Sequence, residues 1–149
     1  MAVDREAALA LELPVHEVRV ERGALRFFAK AIGERRPEYV EVDAALAAGH
    51  RDLPVPPTYY FSLELQSPSS FSYLEDLGVD LTRVLHGEQS FEYVGQACAG
   101  DTLTLRSRIV DVTTKKGGAM DLITRQTTVT DRAGEEVARL GSVIVVRNQ

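Results

Sequence analysis

Apolar residues recur along this chain in two rhythms, and the change from one to the other divides it. In the first half, Leu25, Phe28, Ala29 and Ile32 fall at i, i+3, i+4 and i+7. That spacing predicts a helix over residues 22–33 with one apolar face, and Gly33 suits its C-cap. Just upstream, HEVRVE (16–21) alternates Val18 and Val20 with polar residues and predicts a first strand. Residues 1–13 are rich in alanine and leucine and read as a short, frayed helix or an arm. After Gly33 comes a polar loop, ERRPEY (34–39), fixed by Pro37. Asp43 is placed to cap a short helix from Ala44 to Ala48 that Gly49 ends.

The stretch LPVPPTYYFSLELQ (53–66) is the centre of the pattern. Pro54, Pro56 and Pro57 hold the approach extended and forbid helix before them. Thr58 is a good N-cap. Tyr59, Tyr60, Phe61, Leu63 and Leu65 follow, interrupted only by Ser62, Glu64 and Gln66. A surface helix shows one apolar stripe, whereas this one is apolar around most of its circumference, which predicts a short helix wrapped by something else. Its simplest role is core. Its N-terminus, with free backbone N–H groups, also offers a natural oxyanion site. Residues 67–83 form a connection longer than most loops in compact domains, so it is expected to cover something.

In the second half the period becomes two. Leu85, Gly87, Gln89, Phe91 and Tyr93 alternate with His86, Glu88, Ser90 and Glu92. Leu103, Leu105, Ser107 and Ile109 alternate with Thr104, Arg106 and Arg108. A threonine-rich strand runs from Met120 to Thr130, and the strand Val137–Val146 is apolar on both faces at its end. Ala99-Gly100-Asp101, Gly117-Gly118 and Asp131-Arg132-Ala133-Gly134 supply the turns. Four long hairpin-linked strands therefore follow a helical half that one strand precedes. An antiparallel sheet curled around one buried helix is the economical assembly, an α+β fold in a single domain over residues 1–149.

Composition narrows the function classes. The chain has 149 residues, 44% hydrophobic and 26% charged, as ordinary globular domains do. Its net charge of −5 argues against nucleic-acid binding as the main task. No apolar run nears the roughly 20 residues that cross a bilayer. The acidic start MAVDREAALALELP is not a secretory signal, so a cytoplasmic protein with no membrane association is expected. The lone Cys98 excludes an internal disulfide and reads as a small buried residue. Neither metal-ligand spacing nor a nucleotide-binding glycine loop occurs, so no metal and no cofactor are expected.

Four segments together, VERGALRFFAKAIGERRPEY, LPVPPTYYF, VLHGEQSFEYVGQACAGDTL and the last strands around TDRAGEEV, resemble the MaoC-like dehydratases. The likeness is to the N-terminal-type hot-dog domain that also forms the A and C subunits of mycobacterial 3-hydroxyacyl dehydratases. It runs from about His16 onward, and LHGEQSFEY followed by AGDTL is its most specific part. The resemblance implies a hot-dog fold and a reversible hydratase/dehydratase (lyase) activity in fatty acid metabolism, on enoyl or 3-hydroxyacyl thioesters of coenzyme A or acyl carrier protein. It also implies a dimer, homo or hetero, with another hot-dog subunit, and a thioester tunnel at the interface.

Catalytically complete relatives carry a G-D-x-N-P-x-H type loop after the first helix, whose Asp and His activate water. Here that loop is Gly33-Glu34-Arg35-Arg36-Pro37-Glu38-Tyr39. Gly33 and Pro37 match, but Glu34 stands for the Asp, Arg36 for the Asn and Tyr39 for the His. Glu moves the carboxylate by a methylene on a reaction sensitive to shifts of about 1 Å. Tyr, with an ordinary pKa near 10, is a poor base at neutrality. Glu34 and Tyr39 are thus carried over as occupants of the catalytic positions, and a solvated polar loop is the plainer reading. Thr58 matches the position whose backbone N–H is an oxyanion donor, and Pro57, Tyr59 and His86 are the candidate substrate-binding residues beside it.

His86 also pairs on paper with Glu88, as a structural hydrogen-bonding pair or a replacement catalyst. His16 and His50 read as surface residues. Lys115-Lys116 and Arg125 are candidates for a pantetheine phosphate or an acidic carrier protein, with a solvated turn as the simpler reading of the lysines. Two functions stay open: a hydro-lyase with an altered dyad, alone or with a partner, and a non-catalytic acyl-thioester-binding subunit. A hot-dog thioesterase is a weaker third, and the HGEQ…AGDTL pattern speaks against it.

Overall fold

The computed structural model describes residues 2–148; Met1 and Gln149 lie outside it. The helices are α1 (Arg5–Ala10), α2 (Arg22–Ile32), α3 (Val42–Ala47), α4 (Tyr59–Leu65) and α5 (Ser72–Asp76). The strands are β1 (His16–Arg19), β2 (Val84–Tyr93), β3 (Thr102–Lys115), β4 (Met120–Thr130) and β5 (Glu136–Arg147). They form one antiparallel sheet in the order β1-β3-β4-β5-β2, so β1 and β2 are its edges. The expected wrapped helix is α4: Tyr59, Tyr60 and Leu63 sit in a cluster with Leu103, Leu105, Val129 and Leu140 from the sheet.

The proline-led approach is held as a small ladder. Pro54 bridges Cys98, the Val55 amide donates to the Ala97 carbonyl, and the Ala99 amide donates to Leu53. Cys98 is buried there. The long connection carries α5, and its Tyr73 and Leu74 cover a second cluster with Ile109, Val112, Ile123, Ile144 and Val146. The N-terminal arm is no frayed end. Asp4 caps α1 through the Ala7 amide, Ala8 is fully buried, and Val3, Leu11 and Leu13 pack on the second cluster.

Several local readings change. Thr58 precedes α4 but has helical φ/ψ and makes no side-chain cap; a side-chain N-cap needs extended φ/ψ. Asp43 lies inside α3, whose first residue is Val42, and does not cap it. Helix α4 is not enclosed all round, because Leu65 is exposed and Phe61 half-buried. The strict alternation expected along β2 is broken by a bulge between His86 and Glu88. His86 lies opposite Ile144 and Gln89 opposite Ser142, so His86 joins Gln89, Phe91 and Tyr93 on the inner face while Glu88 turns outward. The His86–Glu88 side-chain pair does not exist. The bulge needs Gly87, where a Cβ would stand 2.9 Å from Val145 Cγ2 and 3.1 Å from the Val143 carbonyl oxygen.

Candidate functional site

The loop after α2 is built from the helix end outward. Gly33 adopts φ +73, and the Glu34 amide reaches back to the Ala29 carbonyl at 2.9 Å, a Schellman closure. Pro37 then starts a 3-10 turn through Tyr39. Between them Glu34 and Arg36 close on each other. Glu34 Oε1 accepts from the Arg36 amide at 3.0 Å and from Arg36 Nε at 3.2 Å, and Oε2 accepts from Arg36 Nη2 at 2.9 Å. The Arg36 guanidinium also lies 4.9 Å from the centre of the Tyr39 ring. Glu34 and Tyr39 are therefore gathered around one arginine. Hydrogen bonds from the Arg36 side chain and amide hold the Glu34 carboxyl at about 2. A carboxyl so far below neutrality stays ionised and can neither deliver a proton nor be a strong base.

The other candidates lie along α4 and β2. The Pro57 carbonyl accepts from the Tyr93 hydroxyl at 2.8 Å, which ties the end of β2 to the start of α4. Tyr59 is buried, packs edge-on against Phe28 of α2 at 5.1 Å and accepts from Gln66 Nε2 at 3.1 Å. The Tyr59 amide is taken by the Pro56 carbonyl at 3.0 Å, whereas the Thr58 amide meets no acceptor among the described residues. His86 is exposed, with its ring 4.8 Å from Phe61 and Nε2 3.0 Å from the Glu88 carbonyl oxygen. His16 is half-buried, not on the surface, and its Nε2 has no partner.

Beside His86 an open groove of about 340 Å³ runs between α4, α5 and the inner face of β5. Phe61, Leu65, Phe71, Leu74, Val84 and Ile144 make it mostly apolar. Its wall also holds Glu64 and Arg125, joined by a 2.7 Å ion pair. Arg125 faces inward on β4, so it is not available to a phosphate or a carrier surface. Lys115 and Lys116 stay exposed at the hairpin tip. The groove and its ion pair escaped the sequence reading, although two signals were present. Glu64 is the one charge in an apolar helix, and a buried carboxylate is seldom unpaired. Arg125 shares a period-two face with Ile123, Thr127 and Val129.

The model of the FAS1-like dehydratase domain region matches residues 10–140, from the end of α1 into β5. The chain belongs to this FAS1-like dehydratase family. Its match takes in the Glu34 loop, α4 and all of the groove's lining except Ser142 and Ile144. A UPF0336 protein of Streptomyces griseus is 36% identical over 147 residues, 99% of this chain and 97% of that protein. Two solved structures show the hot-dog dehydratase fold. The HadBC (3R-hydroxyacyl-ACP dehydratase) complex from Mycobacterium tuberculosis gives a TM-score of 0.77 at 23% identity, over 90% of this chain and 92% of that one. A MaoC-like dehydratase gives 0.80 at 25% identity, over 95% of this chain and 43% of that longer one. The MaoC-like resemblance in the sequence is thus the right one, and no helix among the described residues is long and apolar enough to cross a membrane.

Proposed function

We propose that this FAS1-like dehydratase chain is the acyl-thioester-binding half of a two-subunit hydratase/dehydratase. Its ligand is a 2-enoyl or 3-hydroxyacyl thioester of coenzyme A or acyl carrier protein, and a second hot-dog subunit supplies the acid–base dyad. The observation that carries this reading is the closure of Glu34 on Arg36. The reaction needs one group to move a proton to and from water and another to handle the proton alpha to the carbonyl. At the two matching positions the chain offers a carboxylate held ionised by its own arginine and a phenol.

Three further features suit the binding role. The apolar groove would take the acyl chain. The Thr58 amide would donate to the thioester oxygen, with Pro57 and Tyr59 shaping the approach and His86 at the groove's rim. The outer edge of the ten-residue strand β2 pairs with no other strand, Leu85 and Tyr93 are about half exposed, and a second hot-dog would cover them.

The test is hydration of crotonyl-coenzyme A by the purified chain, with acyl-coenzyme A binding measured calorimetrically on the same sample. Binding without turnover above that of Glu34→Gln is the expected result. Turnover that Glu34→Gln abolishes would instead mean a self-sufficient hydratase with a rewritten dyad.

A further inference from the structure

The Glu64–Arg125 pair lies between two spaces. On one side is the apolar groove, and on the other a cavity of about 40 Å³ rimmed by Ser67, Ser70, Ser72 and His16. The pair is deeply buried, with 6% of the Glu64 side chain and 12% of the Arg125 side chain exposed. One hydrogen bond joins the two side chains, and each keeps a buried polar atom without a partner among the described residues. Glu64 Oε2 accepts from Arg125 Nη2, while Glu64 Oε1 and Arg125 Nε have no partner among the described residues. The Arg125 guanidinium carbon also lies 5.3 Å from the centre of the Tyr73 ring on α5. Buried polar atoms are nearly always satisfied, and a charged pair with unmet bonds is costly.

The two unmet atoms are an acceptor and a donor on adjacent side chains, both closed off from solvent, so a ligand group meets them only as the side chains part to admit it. One ligand group answers both: a hydroxyl donates to Oε1 and accepts from Nε. A methylene answers neither and removes the pair further from water. Glu64 is six residues beyond Thr58 along α4, a rise of about 9 Å. With the thioester at Thr58, the group that meets Glu64 is far down the acyl chain, well past the carbon that carries the product hydroxyl.

We propose that Glu64 and Arg125 form a subsite in the groove wall that recognises a hydroxyl group on the distal part of the acyl chain, so that the groove prefers hydroxylated chains. This rests on the acyl-binding reading given above.

The experiment is calorimetric titration of the purified chain with dodecanoyl-coenzyme A and with isomers that carry one hydroxyl about 9 Å along the chain from the thioester. The best isomer should bind about tenfold more tightly than the plain chain. In the double variant Glu64→Leu/Arg125→Met, an apolar replacement of the kind buried ion pairs tolerate, the ratio of the two affinities should fall to about one. Equal affinities in the unsubstituted protein would assign the polar cavity to water alone and overturn the proposal, whether or not the variant folds. A preference that persists in the folded variant would overturn it as well. Binding of neither ligand would overturn the acyl-binding reading and this inference with it.

Discussion

Replacing Arg36 by alanine isolates the feature on which the functional reading turns. In the intact loop the Glu34 carboxyl is lowered from 4.5 to about 2, mainly by hydrogen bonds from the Arg36 side chain, then by the Arg36 amide and its charge. The substitution removes both guanidinium bonds, at 3.2 and 2.9 Å, and the charge, but leaves the amide bond at 3.0 Å. The Glu34 pKa should therefore rise by about one to two units and stop short of the ordinary glutamate value. The sign for stability follows. A lowered folded pKa favours the fold above the unfolded value and loses that contribution as pH falls through the folded value. Arg36→Ala should accordingly make the acid limb of the stability profile below about pH 4 shallower, with whatever stability is lost appearing above that pH and none at its acid foot. The pair is solvent-facing, so the readout is the titration itself: the carboxyl carbon shift of labelled Glu34 followed by NMR against pH. A Glu34 pKa that stays near 2 in Arg36→Ala would refute the lock. So would a Tyr39 ring signal unmoved by losing the guanidinium above it.

Substitutions at three other positions test the frame around the groove. Asp121 is fully buried and accepts from the Val3 amide at 2.9 Å, Thr114 Oγ1 at 2.6 Å and Asn148 Nδ2 at 2.9 Å. Asp121→Ala should cost about 3 kcal/mol and lower the melting temperature by roughly 6–12 °C. Burial pushes the Asp121 carboxyl up, but the bonds from Thr114, Asn148 and Val3 outweigh it and leave it lowered. Asp121→Asn should therefore remove stability above about pH 4 and make the acid limb shallower. Gly87→Ala places a methyl 2.9 Å from Val145 Cγ2 and should cost about 1–3 kcal/mol in urea unfolding while shifting the His86 ring signals. Leu63→Ala, in the fully buried centre of α4, should cost about 2–5 kcal/mol in the same assay.

Much of this frame was legible in the sequence because it is written in periods. The i, i+3, i+4, i+7 spacing placed α2, and Gly33 does close it. Period two found all five strands, and the glycine turns fell where expected at Gly100, Gly117-Gly118 and Gly134, each with positive φ. What escaped were single residues that break a period. Gly87 slips β2 by one place and sends His86 and Glu88 to opposite faces. A lone glycine in a strand is the usual mark of a bulge, but nothing local fixes on which side of it the register restarts. Arg125 reads as a surface cation by residue type and as an inward residue by position, and position wins because Glu64 waits opposite it. Apart from its ion pair the groove leaves no trace in the sequence, since its residues come from α4, α5, β2, β4 and β5, which only the fold brings together.

The distribution of carboxylates gives the last step. A carboxyl that exchanges protons with substrate must be partly withdrawn from water and free to change its protonation near neutrality. Among the described residues only Glu64 and Asp121 are buried acids. Asp121 is committed to the N-terminal arm, the β3–β4 hairpin and Asn148 just after β5. Glu64 is committed to Arg125 through one oxygen, and it sits on the groove wall about 9 Å along α4 from Thr58. Glu34, in the loop after α2, is half-buried and claimed by Arg36. The buried charge of this chain thus serves its architecture and the wall of its groove, not the loop after α2. That allocation suits a subunit that holds the acyl chain while another supplies the proton chemistry, and it makes Glu34→Gln the variant expected to change nothing in turnover.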